Sequence, residues 1–282
     1  MKHKTTIPQK IYKIIIYVML IFLAILSIVP FYIMIVNATR GTYEIQSNAI
    51  SLIPSKYLLS NYKVFEGKSF NAIVGFRNSM IISTCATALN VYFSSLTAYA
   101  LVAYNWRFRN AFFTFIMVVM MIPGQLTAIG FYQLMYRIGW TNSFLPLIIP
   151  SIAAPTTVFL MRQYLMGSLS LDIVNSGRID GAGELRIFNR IILPIMKPII
   201  ATQAIFSFVG RWNEYFMPTI LLTDKSKYTM PIMVSQLRGD IYKTEYGSVY
   251  LGLTLTVLPL FIVYFLLARY IIAGVALGSV KE

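Results

Sequence analysis

The chain has 282 residues, 57% of them hydrophobic and only 12% charged, against roughly 25% charged in an ordinary soluble domain. That leaves too little polar surface to coat a water-soluble globule. The apolar residues form continuous runs of about 20, which excludes the roughly 10-residue alternating strands of an outer-membrane barrel. The formal charge of +14 is scattered over the connections rather than gathered in one stripe, which argues against a nucleic-acid partner and for topogenesis and contact with membrane lipid.

Residues 1–13 read as a basic amino-terminal tail, with Lys2, Lys4, Lys10 and Lys13 and no acid. The first apolar run, Ile14 to Val36, is longer than a signal-peptide core and shows no small-residue cleavage site, so it is expected to stay as a membrane helix. Asn37 to Ser79 should be an irregular outer loop, with short interfacial helices. Further spans are expected at Met80 to Tyr104, Ala111 to Tyr136, Phe144 to Leu165, Ile199 to Leu222 and Tyr250 to Ile272, about six in all. Pro123-Gly124 should break or kink the third, and Pro146, Pro150 and Pro155 the fourth. Between them Gly139, Trp140 and Asn142 suit a tight turn with an interfacial anchor. The summed Lys/Arg bias between the two sides is weak. The acid-free tail and the short Arg107/Arg109 connection carry the orientation and place both termini in the cytoplasm.

No linker or repeat divides residues 14–282, which read as one all-α membrane domain. Cys85 is the only cysteine and lies in the second span, and His3 is the only histidine and lies in the tail. A disulfide, a multi-thiolate metal site and histidine-based catalysis are therefore not expected. No catalytic residue, metal or cofactor is assigned.

The longest cytoplasmic connection, about 166–198, is the informative one. It concentrates Asp172, Arg178, Asp180, Glu184, Arg186, Arg190 and Lys197. Leu171, Val174 and Arg178 have helical spacing, Asp180-Gly181-Ala182-Gly183 interrupts it, and Leu185, Phe188, Ile191 and Ile192 resume it up to Leu193-Pro194. The pattern predicts a short helix, a glycine turn and an amphipathic helix leading into span five. Gly181 would supply a positive φ or a close approach. Such a charged protrusion suits docking of a soluble partner, and a solvated connection is the plainer alternative.

These residues resemble the cytoplasmic loop of binding-protein-dependent ABC importer permeases, a pattern of Glu-Ala-Ala, three residues and Gly, followed by Leu-Pro. Here the run is Asn175-Ser176-Gly177-Arg178-Ile179-Asp180-Gly181-Ala182, with Phe188 and Leu193-Pro194 downstream. The wider resemblance is to the six-span subunit of maltose-type carbohydrate importers. It extends to Asn61-Tyr62, Asn78-Ser79, Leu96 to Leu101, Asn142-Ser143, Trp212 to Tyr215 and the terminal Ala273 to Lys281. The family's acidic residue is Asn175 here, its two alanines are Ser176 and Gly177, and its upstream proline is Ser170.

The resemblance implies a type I ABC importer permease fold whose 172–194 loop carries a coupling helix. It further implies a second homologous permease subunit, two ATP-binding subunits and an extracytoplasmic sugar-binding protein. Asn175, Ser176, Gly177, Asp180, Gly181, Ala182 and Glu184 would then meet the ATPase. The chain itself has no Gly-rich loop ending in Gly-Lys-Ser/Thr, so the energy must come from another subunit. The implied cargo is a carbohydrate, by family habit an oligosaccharide.

Within span five, Arg211 and Glu214 are three positions apart and would share one helix face. They either neutralise each other or border, with Trp212, Asn213 and Tyr215, the cavity that a polar cargo crosses. Arg162 and Arg269, near the ends of spans four and six, can reach the interface and need no special role. An ion-coupled secondary transporter or channel is the alternative function, although such proteins usually need acids in their spans and only Glu214 qualifies. A membrane-embedded enzyme would need a nucleophile-base pair that this composition hardly offers.

Overall fold

The structure is a computed structural model that describes residues 7–67, 71–237 and 244–278, with the side chains of those between 11 and 266 other than 65 and 67. Lys2, His3 and Lys4 of the tail and the terminal run 279–281 lie outside the described residues, as do the side chains of Lys10 and Arg269. Every described element is helical. In chain order the α-helices are α1 (Ile7–Ala38), α2 (Thr42–Ser47), α3 (Leu58–Gly67), α4 (Ala72–Ala103), α5 (Arg109–Met120) and α6 (Ala128–Arg137). Then follow α7 (Leu145–Ile148), α8 (Pro155–Ser168), α9 (Leu171–Ile179), α10 (Glu184–Ile187), α11 (Leu193–Ile195) and α12 (Lys197–Trp212). The last three are α13 (Phe216–Leu221), α14 (Met230–Gln236) and α15 (Tyr246–Gly278).

Among the described residues four helical stretches are long and apolar enough to cross a membrane, Ile11–Ala38, Ala72–Ala103, Leu145–Ser168 and Tyr246–Leu266. Two bent pairs raise the number to six if each pair is one span. The first pair, Arg109–Met120 with Gly124–Arg137, bends by 88° at Pro123, where the missing N–H interrupts the helix as expected. The second, Glu184–Ile195 with Lys197–Trp212, bends by 81° at Met196, between Pro194 and Pro198. The prolines of the fourth span likewise leave a 3₁₀ turn at Ile149–Ile152 between α7 and α8.

Span five departs from the expectation of one helix from Ile199 to Leu222. The helix stops at Trp212, residues 213–215 are irregular, and α13 restarts at Phe216. Hydropathy is blind to such a stop, because the apolar run continues across it.

The chain forms two compact units. The first contains residues up to Asn71 together with Val234–Leu258. Its 37–67 segment is built rather than irregular. Arg40 is buried and donates to the Asn37 side chain and to the carbonyls of Asn48 and Glu44, each at 2.8 Å. Asn61 donates to the carbonyls of Ala38 and Arg40, and its own carbonyl accepts from Ser248. These bonds satisfy backbone groups that short helices leave open. Gly247 sits against this cluster so closely that a Cβ would lie 2.4 Å from the Arg40 carbonyl oxygen.

The second unit contains Ala72–Met233 and the chain from Pro259 onward. Its centre is α4, which packs against α8 and α12. The buried face of α4 is largely small and polar, with Asn78, Ser79, Ser83, Ala86, Thr87, Asn90, Ser94, Ser95 and Ala98 beside the larger Ile82, Tyr99 and Leu101. Small residues let helices approach closely, and polar ones bond across the gap. Asn90 donates to the Ser207 hydroxyl of α12 at 3.1 Å and accepts from Ser94 at 3.2 Å.

Candidate functional site

The 166–198 connection is mostly helical, interrupted before Leu171 and by the turn at residues 180–183, and it is packed from one side. Ser170 opens α9 by accepting a hydrogen bond from the Asp172 amide, the role of a capping residue and a reason serine can replace proline there. At the other end Gly181 has φ +76°, its N–H donates to the Arg178 carbonyl, and the Ala182 N–H donates to the Gly177 carbonyl, both at 3.0 Å. This pair of bonds closes the helix with a glycine in the left-handed region, a Schellman turn. Of the two roles foreseen for Gly181, the positive φ is the one realised. A Cβ there would meet nothing within 4 Å of this chain.

Beyond the turn, Phe188–Ile192 form a π-helical segment between α10 and α11. Val174, Ile187, Phe188, Ile192 and Met196 are fully buried with Ala98 and Tyr99 of α4 and Met161 and Leu165 of α8. The apolar side of the segment is thus the core at the foot of α4 and α8. Gly177 is also buried, and a Cβ at that position would press on Ile187 and Ile191 at 3.3 Å. The opposite side exposes Asn175, Ser176, Asp180, Gly181 and Glu184, with Ala182 half-buried. Ile179 and Leu185 flank the turn and are 86% and 66% exposed, a costly placement for large apolar side chains.

Arg178 joins the two limbs of the turn. Its Nε donates to Glu184 Oε1 at 2.8 Å and its guanidinium reaches Glu184 Oε2 at 3.4 Å and Asn175 Oδ1 at 3.2 Å. The Tyr104 hydroxyl, just past α4, donates to Glu184 Oε2. The Arg178 and Tyr104 hydrogen bonds hold the Glu184 carboxyl below its ordinary range and keep it ionised. Asn175 therefore accepts from Arg178, while the charge that balances Arg178 comes from Glu184.

The other group of expected site residues is not brought together in the way the spacing suggested. Arg211 lies in the last turn of α12, but Glu214 is past its end, so the two do not share a helix face. Among the described residues no ion pair joins them. Glu214 Oε1 instead accepts from the amides of Phe216 and Met217, at 3.2 and 3.3 Å, and opens α13. Trp212 is fully buried, stacked on Phe208 at 5.8 Å and met edge-on by Phe76 at 5.5 Å, so its faces are unavailable to a cargo in this conformation. Asn213 and Tyr215 are exposed, and Arg211 is half-buried.

An open cleft of about 580 Å³ near the start of α4, lined by Arg77, Asn78, Phe144 and Lys227 among others, was not foreseen. Nor was the role of Asn142, which has φ +55° and whose side-chain oxygen accepts from the amides of Thr223 and Asp224. The positive φ is tolerated by asparagine and is invisible to hydropathy. Arg162 of α8 lies over the Phe113 ring at 4.0 Å, a packing role.

This fold defines a multi-pass helical membrane protein with broken spans and a helix-turn-helix segment packed at the foot of α4 and α8. Residues 90–276 match the family of binding-protein-dependent transport system inner membrane components. The chain is 33% identical over 262 residues to the arabinooligosaccharides transport system permease protein AraQ of Halalkalibacterium halodurans, covering 92% of this chain and 93% of that one. It is 30% identical to the lactose transport system permease protein LacG of Rhizobium radiobacter, over 98% of this chain and 99% of that one. The crystal structure of a bacterial ABC transporter involved in the import of the acidic polysaccharide alginate contains a chain of the same fold, with a TM-score of 0.79, 20% identity, and 95% and 99% coverage. The chain belongs to the family of binding-protein-dependent transport system inner membrane components, and it is a transport permease rather than an enzyme.

Proposed function

We propose that this chain is one permease subunit of an ATP-driven importer of carbohydrates, with oligosaccharides as the favoured cargo. The observation that carries the reading is similarity over nearly the whole chain to permeases named for arabinooligosaccharides and lactose. A second homologous permease subunit completes the path, two ATP-binding subunits sit under the pair, and an extracytoplasmic sugar-binding protein delivers cargo. Both termini lie in the cytoplasm, so residues 14–282 form the transmembrane part and the 166–198 connection faces the ATPase.

The geometry supports a docking role for that connection. Asn175, Ser176, Asp180, Gly181 and Glu184 lie on its solvent side beside exposed Ile179 and Leu185, while Gly177 anchors α9 to the core behind. ATPase closure displaces this tip, and the packed foot carries the displacement into α4, α8 and α12. Asn213 and Tyr215, at the break in span five, are the residues of the 211–215 group free to meet cargo, with Arg211 and Glu214 at its border.

Cells lacking the gene and complemented with it would be offered labelled mono- and oligosaccharides. Restored uptake of an oligosaccharide that depends on ATP and on the binding protein is the expected result. Uptake driven by an ion gradient and indifferent to ATP would overturn the reading.

A further inference from the structure

We propose that Tyr104, Arg178 and Glu184 form a latch that fixes the tip of the coupling segment to the foot of α4, making them positioning residues for energy transfer; this rests on the coupling role assigned above. The three come from separate elements. Tyr104 follows α4, Arg178 sits in the last turn of α9, and Glu184 opens α10. The Glu184 carboxylate is their meeting point. It takes Arg178 on both oxygens, at 2.8 and 3.4 Å, and the Tyr104 hydroxyl on Oε2. The Arg178 guanidinium also lies 5.4 Å from the centre of the Tyr104 ring, and Tyr104 meets Tyr99 edge-on at 5.6 Å. Tyr99 in turn stacks on Phe188 of the π-helical segment.

The consequence follows from where these bonds run. Arg178 to Glu184 spans the Gly181 turn from limb to limb, so the turn moves as one piece. Tyr104 to Glu184 ties that piece to α4, the helix against which α8 and α12 pack. Without the latch, a push on the tip reaches α4 and α8 through the apolar foot alone, and α12 through α10, the π segment and the 81° bend at Met196, a route with several places to yield. The ion pair is partly exposed, with 35% and 47% of the two side chains accessible, so it adds little to folding stability. Its removal should therefore leave an intact protein with a looser tip.

The complete importer would be purified and reconstituted with Tyr104→Phe, Glu184→Gln, or the exchange Arg178→Glu with Glu184→Arg. Sugar transported per ATP hydrolysed is the measurement, since a folding or assembly defect lowers both quantities together and leaves the ratio unchanged. Tyr104→Phe, which lies outside the docking face, should keep the ATPase subunits bound, and in both Tyr104→Phe and Glu184→Gln the ratio should fall by about two- to fivefold. The exchange should recover a higher ratio than Arg178→Glu alone. An unchanged ratio in both single variants, or loss of the ATPase subunits from both, would overturn the latch. If the unmodified chain retains no ATPase subunit, the coupling role itself fails and the latch falls with it.

Discussion

Replacing Gly181 tests the coupling turn at its most sensitive point. The residue has φ +76°, where an L side chain costs about 1–2 kcal/mol as its Cβ approaches the following carbonyl. No neighbouring atom of this chain lies within 4 Å of a Cβ placed there, so crowding within the subunit adds nothing. Backbone strain alone sets the intramolecular effect. A Gly181→Ala turn should be less populated by about 5- to 30-fold, the factor that 1–2 kcal/mol represents. Gly181→Asn should be milder, since asparagine visits this region, and Gly181→Val harsher, since β-branched residues strongly avoid it. A turn that escapes the strain by changing conformation gives up the bonds from Gly181 to Arg178 and from Ala182 to Gly177. The apolar core behind the turn is untouched, so membrane abundance should stay near normal. Uptake of labelled sugar, retained ATPase subunit and abundance would be measured on the same membranes. The expected order of uptake is Gly, Asn, Ala, Val, with abundance flat. Normal uptake in Gly181→Val would refute the docking reading, and abundance falling in step with uptake would refute the claim that strain is confined to the turn.

Three further outcomes follow from the same geometry. Gly247→Ala forces a Cβ to 2.4 Å from the Arg40 carbonyl oxygen and the Asn61 amide nitrogen, and should destabilise the first unit by about 2–5 kcal/mol; faster proteolysis of residues 37–67 would report it, and unchanged protection would contradict it. Arg211→Ala and Glu214→Gln should couple by no more than about 1 kcal/mol in detergent stability, because longer-range charge attraction, and no hydrogen-bonded ion pair, links the two groups; a coupling of several kcal/mol would restore a bridge between them. Glu184 has its carboxyl depressed by Arg178 and Tyr104, so the contribution of that contact is fully present above the ordinary carboxylate range and is lost only as pH falls through the lower folded value. Coupling ratios in reconstituted importer should accordingly be flat from pH 8 to pH 6, a range in which any marked fall would assign the latch to a different titrating group.

The number and approximate places of the spans are legible in composition and run length, because crossing a bilayer demands a minimum apolar length whatever the helix packs against. The proline break at Pro123 and the glycine turn at Gly181 are equally local, one set by a missing N–H and the other by freedom from a Cβ. What local chemistry cannot state is which neighbour a residue meets. In span five the unbroken apolar run hid the stop at Trp212. Spacing alone then put Arg211 and Glu214 on one face, where the structure turns Glu214 to the amides of α13. Trp212 reads as a stacking surface until Phe76 and Phe208 are seen to cover it. Gly247 gives no signal of its own, since its need for a bare backbone is created by Arg40 and Asn61, about two hundred positions away. The latch is the same case: Tyr104 and Glu184 are 80 residues apart, and the packing of the foot of α4 on the segment after α10, Tyr99 against Phe188 included, brings a hydroxyl to a carboxylate.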